Sequence, residues 1–263
     1  MHGYIFDNAT AAEYERLDLM SKILDPRTRA SLLALGLREG WNCLELGGGN
    51  GSITEWLCRM VGDAGHVTSV DINSELIDLV NAPNLTVLQG DVRTGDLPSG
   101  GFDLVMCRAM LHQVSAYAQA VLEKMAAALR PGGWLFVCEP DFNLVRTAQP
   151  QTWQKAWDGI IAWGQSQGVD WFIGRKLPSM VQALGLGHPE AATEVPNIRG
   201  TTRDALYFQM VFEMVRERVV AAGFVDAATL DEAARVLADP DCWTQCWMLT
   251  SVWIRKPLHD ASN

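Results

Sequence analysis

The sequence predicts a single doubly wound α/β domain, in which helices cover both faces of a mostly parallel sheet. Short apolar segments alternate with helical segments from Trp41 to Cys138. A glycine cluster follows the first apolar segment, and an acidic residue follows each of the next two. Strands separated by helices require crossover connections, which produce a parallel sheet buried on both faces. The length of 263 residues suits one such domain with additions.

Helices are expected before the sheet. Residues 10–24 place apolar side chains at helical spacing, Pro26 ends or interrupts that helix, and a second helix follows at 29–37. We assign residues 1–39 to an N-terminal helical cap.

The core of the domain is expected at 40–141. Its strands are predicted at 42–46, 66–70, 85–89, 102–107 and 134–138, and its helices at 52–60, 74–80 and 117–129. Each strand is short and apolar, as is typical of strands covered on both faces.

The pattern changes after Pro140. Helices are predicted at 153–165, 176–184, 203–222 and 229–237, with a short sixth strand at 190–197 and a long final strand at 243–254. We assign 142–240 to a helical cap insertion with the sixth strand, 241–256 to the last strand of the core, and 257–263 to a flexible tail. The helix at 203–222 is long enough to join the subunits of a homo-oligomer.

The composition argues against several classes of partner. A net charge of −10 disfavours nucleic acid and anionic membrane surfaces, which attract basic proteins. The six cysteines lack CxxC spacing and are typical of reduced, buried residues. No apolar segment approaches the roughly 20 residues that span a bilayer, and the first residues do not resemble a signal peptide. We therefore expect a cytoplasmic protein with no nucleic-acid or membrane partner.

The glycine cluster is the most informative segment. Gly47, Gly49 and Gly51 follow the first strand at alternate positions, and Glu45 lies two residues before them. Glycine permits a tight turn and lets a ligand approach the bare backbone at the carboxyl end of a strand. A dinucleotide site would require its third glycine at the position of Ser52, so the match to that pattern is imperfect.

Acidic residues end the next two strands. Asp71 ends the second strand, where a carboxylate can accept both hydrogen bonds of a ribose diol. Asp91 ends the third strand after Gln89 and Gly90. The acid on the second strand suits either nucleotide cofactor, so NAD and S-adenosylmethionine both remain open on that observation.

Several segments together resemble the class I S-adenosylmethionine-dependent methyltransferases. They are the turn Glu45-Leu46-Gly47-Gly48-Gly49-Asn50-Gly51, the acids Asp71 and Asp91, the strand at 102–107, and the turn Arg130-Pro131-Gly132-Gly133. The resemblance covers residues 40–140 and implies a Rossmann-like, seven-stranded sheet that is mostly parallel with an antiparallel last strand. The N-terminal helices loosely resemble those of quinone-biosynthesis methyltransferases.

The resemblance implies roles for nine cofactor-binding residues. Glu45 orients the methionine amino group, Gly47 and Gly49 border the methionine, and Arg108 faces its carboxylate. Asp71 takes the ribose hydroxyls, Ile72 and Val92 pack on adenine, and Asp91 accepts from its amino group. Tyr14 closes over the cofactor from the N-terminal helices.

Two residues are candidates for catalysis. His112 follows the fourth strand, and histidine is a residue type suited to proton transfer at physiological pH. It is therefore the first candidate for a general base, against a purely structural role. Asp141 ranks second. It and Glu139 flank Pro140, and either carboxylate could contact substrate, orient His112 or only hold the loop.

The expected reaction is methyl transfer to a small, apolar or aromatic metabolite, of a natural-product or quinone-like kind. Aromatic residues concentrate in the cap, where they line a substrate pocket or form a core. No acid cluster for magnesium is evident, so no metal is expected. The alternatives are a non-methylating protein of the same fold that binds S-adenosylmethionine and binds or rearranges a substrate, and an NAD-dependent oxidoreductase.

Overall fold

The computed structural model describes residues 5, 6 and 11–258. The strands are β1 (Asn42–Leu46), β2 (His66–Asp71), β3 (Leu85–Gln89), β4 (Phe102–Arg108), β5 (Leu129–Asp141), β6 (Glu190–Glu194), β7 (Asn197–Arg199), β8 (Trp243–Gln245) and β9 (Met248–Arg255). The α-helices are α1 (Ala11–Ala34), α2 (Ser52–Val61), α3 (Ala118–Ala128), α4 (Gln151–Ser166), α5 (Leu177–Gln182), α6 (Arg203–Ala221) and α7 (Ala227–Ala238).

Seven strands form one sheet in the order β3-β2-β1-β4-β5-β9-β6. Neighbouring strands from β3 to β5 pair in parallel, and β9 is antiparallel to both β5 and β6. The predicted fold, a seven-stranded and mostly parallel sheet with an antiparallel last strand, is therefore confirmed. The register pairs Leu46 with Val70 and Cys107, so the carboxyl ends of β1, β2 and β4 lie together at one edge.

The sheet is held by apolar side chains on both faces. Cys43, Leu44 and Leu46 of β1 are fully buried. Helix α2 begins directly after Gly51, whose φ of 78° lets the chain turn sharply from strand to helix. Ile53 and Leu57 then pack into the core beneath the sheet. This turn brings the bare backbone of the glycine cluster to the sheet edge.

A second core lies among the cap helices. It gathers the largest buried side chains from α4, α6, α7 and the link between β8 and β9, among them Trp153, Trp157, Phe208 and Trp247. Helix α6 packs against α1 and α7 of the same chain, which accounts for its buried face. Its role in a homo-oligomer stays a prediction.

The N-terminal helices differ from the expectation. Instead of two helices separated at Pro26, α1 continues from Ala11 to Ala34 with Pro26 inside it. Proline removes one helical hydrogen bond. Asp25, the preceding residue, is buried and paired with both Arg29 and Arg108. These ion pairs stabilise the continuous helix at the position where Pro26 cannot donate a backbone hydrogen bond.

The helix expected at 74–80 is only a short 3₁₀ turn at Ile77–Leu79. Local side chains compete with the helical bonds there, because Asn73 Oδ1 accepts from the backbone N–H of Glu75 and Ser74 donates to Asp78. This segment therefore covers the sheet edge without a full helix.

The long final strand expected at 243–254 is two strands. β8 pairs with β7 in a separate two-stranded sheet, whereas β9 belongs to the main sheet. Cys246 and Trp247 lie between them and are buried in the cap core, so the chain leaves one sheet before it joins the other. The indole N–H of Trp153 donates to the carbonyl of Gln245 at 2.9 Å and ties this link to α4.

Among residues 5, 6 and 11–258, no helix combines the length and apolar character that crossing a bilayer requires.

Candidate active site

One large cavity opens at the carboxyl ends of the central strands. Its volume is about 1450 Å³ when the open mouth is counted. One part, here called the crevice, is lined by Gly47, Gly49, Asp71, Ile72, Asn73, Asp91, Val92 and Arg93. The other, here called the aromatic chamber, is lined by Phe142, Trp157, Trp171, Tyr207, Phe208 and Trp247.

The glycine turn forms the floor of the crevice. Gly47 has a φ of 73° and donates its N–H to the carbonyl of Val70 at 2.8 Å. A methyl group at Gly47 would lie 2.9 Å from Cγ of Met110, so a side chain there would force Met110 to move. Gly49 has a φ of 59°, a conformation that favours glycine. The turn therefore depends on bare backbone at both positions.

Asp71 locks the glycine turn to the end of β2. Its Oδ2 accepts from the N–H of Gly49 and its Oδ1 from the N–H of Asn73, each at 3.0 Å. Burial raises the pKa of this carboxyl, and the two N–H donors oppose that shift. Ile72 beside it lines the crevice with 48% of its surface exposed, unusual for isoleucine. An apolar surface therefore adjoins a buried carboxylate.

Asp91 lies across the crevice and is paired with Arg93. Both carboxylate oxygens accept from the guanidinium at 2.8–3.0 Å, which lowers the pKa of Asp91. Val92, between them, is buried against the crevice wall. Arg93 was not singled out in the sequence. Its position two residues after the strand-ending acid Asp91 is the feature of the sequence that could have indicated this ion pair.

Glu45 lies behind the glycine turn and outside the residues that line the cavity. Its Oε2 accepts from the hydroxyl of Thr54 at 2.5 Å. Burial raises the pKa of Glu45 to about 7, against the opposing effect of the Thr54 hydrogen bond. A carboxyl with this pKa changes its charge near neutral pH. The electrostatic potential behind the glycine turn therefore depends on pH in that range.

Helix α1 covers the cavity with a different face from the one expected. Tyr14 is 51% exposed and does not line the cavity. Residues 13, 16, 17 and 20 line it instead, one helical face at i, i+3, i+4 and i+7 spacing. Closure over the cofactor by Tyr14 is therefore not supported by this arrangement. The helical spacing of residues 13, 16, 17 and 20 is the feature of the sequence that indicates the face toward the cavity.

The charged groups on this part of the wall are paired. Arg16 bonds both oxygens of Glu13 at 2.7 Å and lies 3.3 Å from the hydroxyl of Tyr207. Arg108, predicted to face the methionine carboxylate, lines the cavity and pairs with Asp25 at 2.9 Å. Arg16 therefore has a carboxylate of its own, whereas Arg108 shares the carboxylate of Asp25 with Arg29.

His112 lies on the turn after β4 and lines the cavity. Its ring Nδ1 is 2.8 Å from Oε2 of Glu139, and its ring centroid is 6.3 Å from that of Trp171. Met110, two residues earlier, contacts the glycine turn. This one turn therefore touches both the crevice and the aromatic chamber.

Asp141 lies outside the cavity lining. Its carboxylate is fully buried and accepts two hydrogen bonds from Arg175, at 2.5 and 2.7 Å, as well as the N–H of Asn143. The carboxylate is occupied in holding the chain after β5. The structure therefore does not support the predicted catalytic role of Asp141.

The rings of the aromatic chamber contact one another edge to face or tilted, and Tyr207 stacks on Trp247. Phe142 lies 5.0 Å from Trp157 and 4.9 Å from Trp171, centroid to centroid, and Phe208 lies 5.1 Å from Trp247. Such contacts fix the rings rigidly. The resulting wall is mostly apolar, and the indole N–H groups of Trp157, Trp171 and Trp247 have no hydrogen-bond partner in the described part of the chain.

The residues of the crevice fit an adenosyl sulfonium. Bare backbone at Gly47 and Gly49 leaves room for the amino-acid portion, and Asp71 offers a carboxylate for a ribose diol. Ile72 and Val92 provide apolar surfaces for an adenine ring next to Asp91. Among the described residues, no group of three or more His, Cys, Asp or Glu could hold a metal ion.

Comparison with known proteins agrees with this geometry. A family model described as a methyltransferase domain matches residues 43–133, which include the glycine turn and both strand-ending acids. The ubiquinone/menaquinone biosynthesis C-methyltransferase UbiE of Hahella chejuensis is 33% identical over 145 residues, which are 51% of this chain and 57% of that protein. The chain belongs to the class I S-adenosylmethionine-dependent methyltransferases.

Two further relatives extend the match beyond the methyltransferase core. An uncharacterised 37.1 kDa protein in transposon TN4556 of Streptomyces fradiae is 30% identical over 242 residues, 86% of this chain and 67% of that one. A phosphoethanolamine N-methyltransferase 2 from Haemonchus contortus, solved with phosphomonomethylethanolamine and S-adenosylhomocysteine, shares the fold with a TM-score of 0.57 at 14% identity. That match covers 88% of this chain and 52% of that one.

Membership in this methyltransferase family decides between the two nucleotide cofactors. S-adenosylmethionine is the cofactor of the family, and the NAD-dependent alternative is dropped. This methyltransferase spans between half and three-fifths of the length of the UbiE relatives. The match therefore does not establish that this chain catalyses their reaction.

Proposed function

We propose that this chain transfers the methyl group of S-adenosylmethionine to a small, uncharged, flat metabolite of apolar or aromatic character, with His112 as the general base. The observation that carries the proposal is the turn after β4. Met110 contacts Gly47 in the crevice, and the His112 ring lies beside Trp171 of the aromatic chamber. A base on that turn is within reach of an acceptor that enters the chamber and points at the crevice.

The charge distribution supports an uncharged acceptor. Beside Tyr207 of the aromatic chamber, the positive charge of Arg16 is matched by Glu13. An anionic acceptor would find no unmatched cation at that position, and burying an unpaired charge is costly. Arg108, which shares Asp25 with Arg29, is the cation expected to face the carboxylate of the cofactor. The flat aromatic walls favour a ring or a conjugated system instead.

The cofactor, when bound, supplies a sulfonium-linked methyl group that is a strong electrophile. Transfer is an in-line displacement, so the protein's task is to align the acceptor and exclude water. The aromatic chamber does both through its rigid, water-repellent rings. The imidazole of His112 takes the proton that the acceptor loses.

The proposal is tested first by binding and then by turnover. S-adenosylhomocysteine is expected to raise the melting temperature, whereas NADH is not, since only the first fits the crevice as described. A panel of hydroxylated aromatic and quinone-like acceptors is then screened for formation of S-adenosylhomocysteine from S-adenosylmethionine. Binding without turnover across the panel would favour the alternative, a protein of this fold that binds the cofactor but does not methylate.

A further inference from the structure

The carboxylate of Glu139 is surrounded by hydrogen-bond donors. It is fully buried at the end of β5. Its Oε1 accepts from the backbone N–H groups of Met110 and Leu111, both at 2.8 Å. Its Oε2 accepts from the backbone N–H of His112 at 3.2 Å and lies 2.8 Å from the Nδ1 of the same residue. Of the roles that the sequence leaves open for Glu139, these contacts match the orientation of His112.

A bend in the backbone makes this convergence possible. Ala109 has a φ of 52°, in the left-handed region that non-glycine residues rarely occupy, and its N–H donates to the carbonyl of Cys138 at 2.9 Å. The bend turns three successive N–H groups toward Glu139. Strain of this kind persists only where surrounding contacts enforce it, and it concentrates at functional sites.

These contacts determine where the imidazole proton lies. Backbone N–H groups can only donate, so Glu139 acts as an acceptor in three of its four contacts. A protonated carboxyl would need an acceptor for its own O–H, and none of its four partners except Nδ1 could serve. A carboxylate that accepts from Nδ1–H satisfies all four contacts, and the Nε2 of His112 then keeps its lone pair.

The environment of Nε2 agrees with this assignment. The side-chain amide nitrogen of Gln113 lies 2.9 Å from Nε2, as expected for an N–H that donates to a lone pair. The amide oxygen of Gln113 is buried without a hydrogen-bond partner. Because an unpaired buried carbonyl is unfavourable, the Gln113 amide is suited to change partners when an acceptor arrives.

We propose that Glu139 is a positioning residue that fixes the proton of His112 on Nδ1, and that the acceptor carries a phenolic or enolic hydroxyl that replaces the Gln113 amide at Nε2. This proposal rests on the proposed function. The Nε2 lone pair accepts a hydrogen bond, and a hydroxyl in the place of the Gln113 amide donates one without adding a charge to the site.

The reaction balances on these groups. The hydroxyl proton moves to Nε2, and the imidazolium that forms is stabilised by Glu139. The electron pair of the oxygen, or of a ring carbon conjugated to it, bonds to the methyl carbon, while the carbon–sulfur bond breaks and leaves its pair on sulfur. In the ring-carbon case, the proton on that carbon is lost to water afterwards.

The tautomer is measured directly by NMR on protein labelled with ¹⁵N-histidine. The chain has 5 histidines, and the His112→Asn variant identifies the His112 signals by their loss. We expect wild-type His112 to carry its proton on Nδ1. We expect Glu139→Gln to populate the Nε2–H form and Glu139→Asp, which keeps the charge, to restore most of the Nδ1–H form. A wild-type spectrum with the proton on Nε2 overturns the proposal without any variant.

Matched probes test the hydroxyl requirement in protein saturated with S-adenosylhomocysteine. 2-Naphthol is expected to shift the His112 Nε2 signal, and 2-methoxynaphthalene, which lacks the hydroxyl proton, is expected to leave it unchanged. An equal response to both, or no response to 2-naphthol, overturns this requirement. Calorimetric binding of S-adenosylhomocysteine is recorded on the same samples, so a failure of the cofactor site is distinguished from a failure of the His112 assignment.

Discussion

The crevice and the aromatic chamber share one cavity but are built in opposite ways. The crevice draws its residues from 47–93, and most of them lie at or just after the ends of three adjacent parallel strands. The chamber draws its rings from 142–247, on separate helices and loops that meet only in the folded cap. The crevice combines bare backbone and carboxylates with the apolar side chains of Ile72 and Val92, whereas the chamber consists mainly of aromatic rings. The register of the strands determines the positions of the crevice residues, and side-chain packing in the cap determines the positions of the chamber rings.

Because the two regions are built from different residues, we expect that cofactor binding and the choice of acceptor can be altered separately. A change in the crevice should alter cofactor affinity and leave the chamber intact, whereas a change in the chamber should do the reverse. His112 belongs to the turn that touches both, so its loss should affect transfer without a comparable effect on either binding event.

Replacing His112 should have the largest effect. The His112→Asn variant keeps an N–H that can donate to Glu139 but removes the base, so we expect turnover to fall about 10²- to 10⁴-fold. The affinity for S-adenosylhomocysteine should change less than about twofold, because His112 is not part of the crevice. Steady-state kinetics and calorimetry measure the two quantities. The exposed His188→Asn is the matched control, and unchanged turnover in His112→Asn would remove this residue as the base.

The Asp71→Asn variant tests the crevice. It removes a charged acceptor and places an amide against the N–H groups of Gly49 and Asn73, so we expect the Kd for S-adenosylhomocysteine to rise about 10- to 100-fold. The exposed Asp63→Asn, in the turn after α2, should behave as wild type. Calorimetry on both variants decides, and equal affinities would refute the assignment of Asp71 to the ribose.

The Trp247→Phe variant tests the chamber. The smaller ring enlarges the chamber, so the ratio of kcat/KM between a larger and a smaller acceptor should shift about tenfold toward the larger one. Affinity for S-adenosylhomocysteine should stay the same. Trp243→Phe, at a position that is 61% exposed, is the control. If Trp247→Phe weakened cofactor binding as much as it altered acceptor choice, the separation between the two regions would not hold.

The smallest expected effect is the pH dependence that Glu45 gives to stability and to cofactor affinity. Burial raises the pKa of Glu45 in the folded protein to about 7, from an ordinary value of 4.5. Its contribution to stability is therefore full below about pH 4.5 and is lost as the pH rises through 7. Binding should follow the opposite trend, because the ionised carboxylate attracts the ammonium of the cofactor. Between pH 5.5 and 7.5 the affinity for S-adenosylhomocysteine should rise about fivefold.

The Glu45→Gln variant should lose both trends, and Glu55→Gln, on the exposed side of α2, should keep them. Denaturant titrations and calorimetry at each pH provide the measurements. Identical pH profiles in wild type and Glu45→Gln would contradict the assignment of Glu45 as the responding group.

The sequence was sufficient for the fold because its signals are local. Apolar strand segments, the glycine turn and the strand-ending acids lie in short continuous stretches, and the parallel order of the sheet follows from the crossovers. The same local signals led to Gly47, Gly49, Asp71, Ile72, Asp91, Val92 and Arg108, all of which line the cavity.

The remaining features depend on contacts between distant residues. Asp141 looked like a candidate for catalysis because it follows a strand, but its partner Arg175 is 34 positions away. The role of Tyr14 is implied only by the family resemblance, whereas the face that α1 turns to the cavity depends on its packing against α6. The continuous helix through Pro26 depends on a pairing between Asp25 and Arg108, which sequence periodicity cannot reveal.

The interruption between β8 and β9 has a consequence for how this enzyme can diversify. Trp247 reaches the chamber from a two-residue link, while β9 on one side of that link is held by a full ladder to β5. Insertions or exchanges at the link can reshape the acceptor side without loosening the sheet on which the cofactor side depends. Substitutions at this junction can therefore change the acceptor during evolution, while the residues that bind the cofactor and transfer the methyl group stay the same.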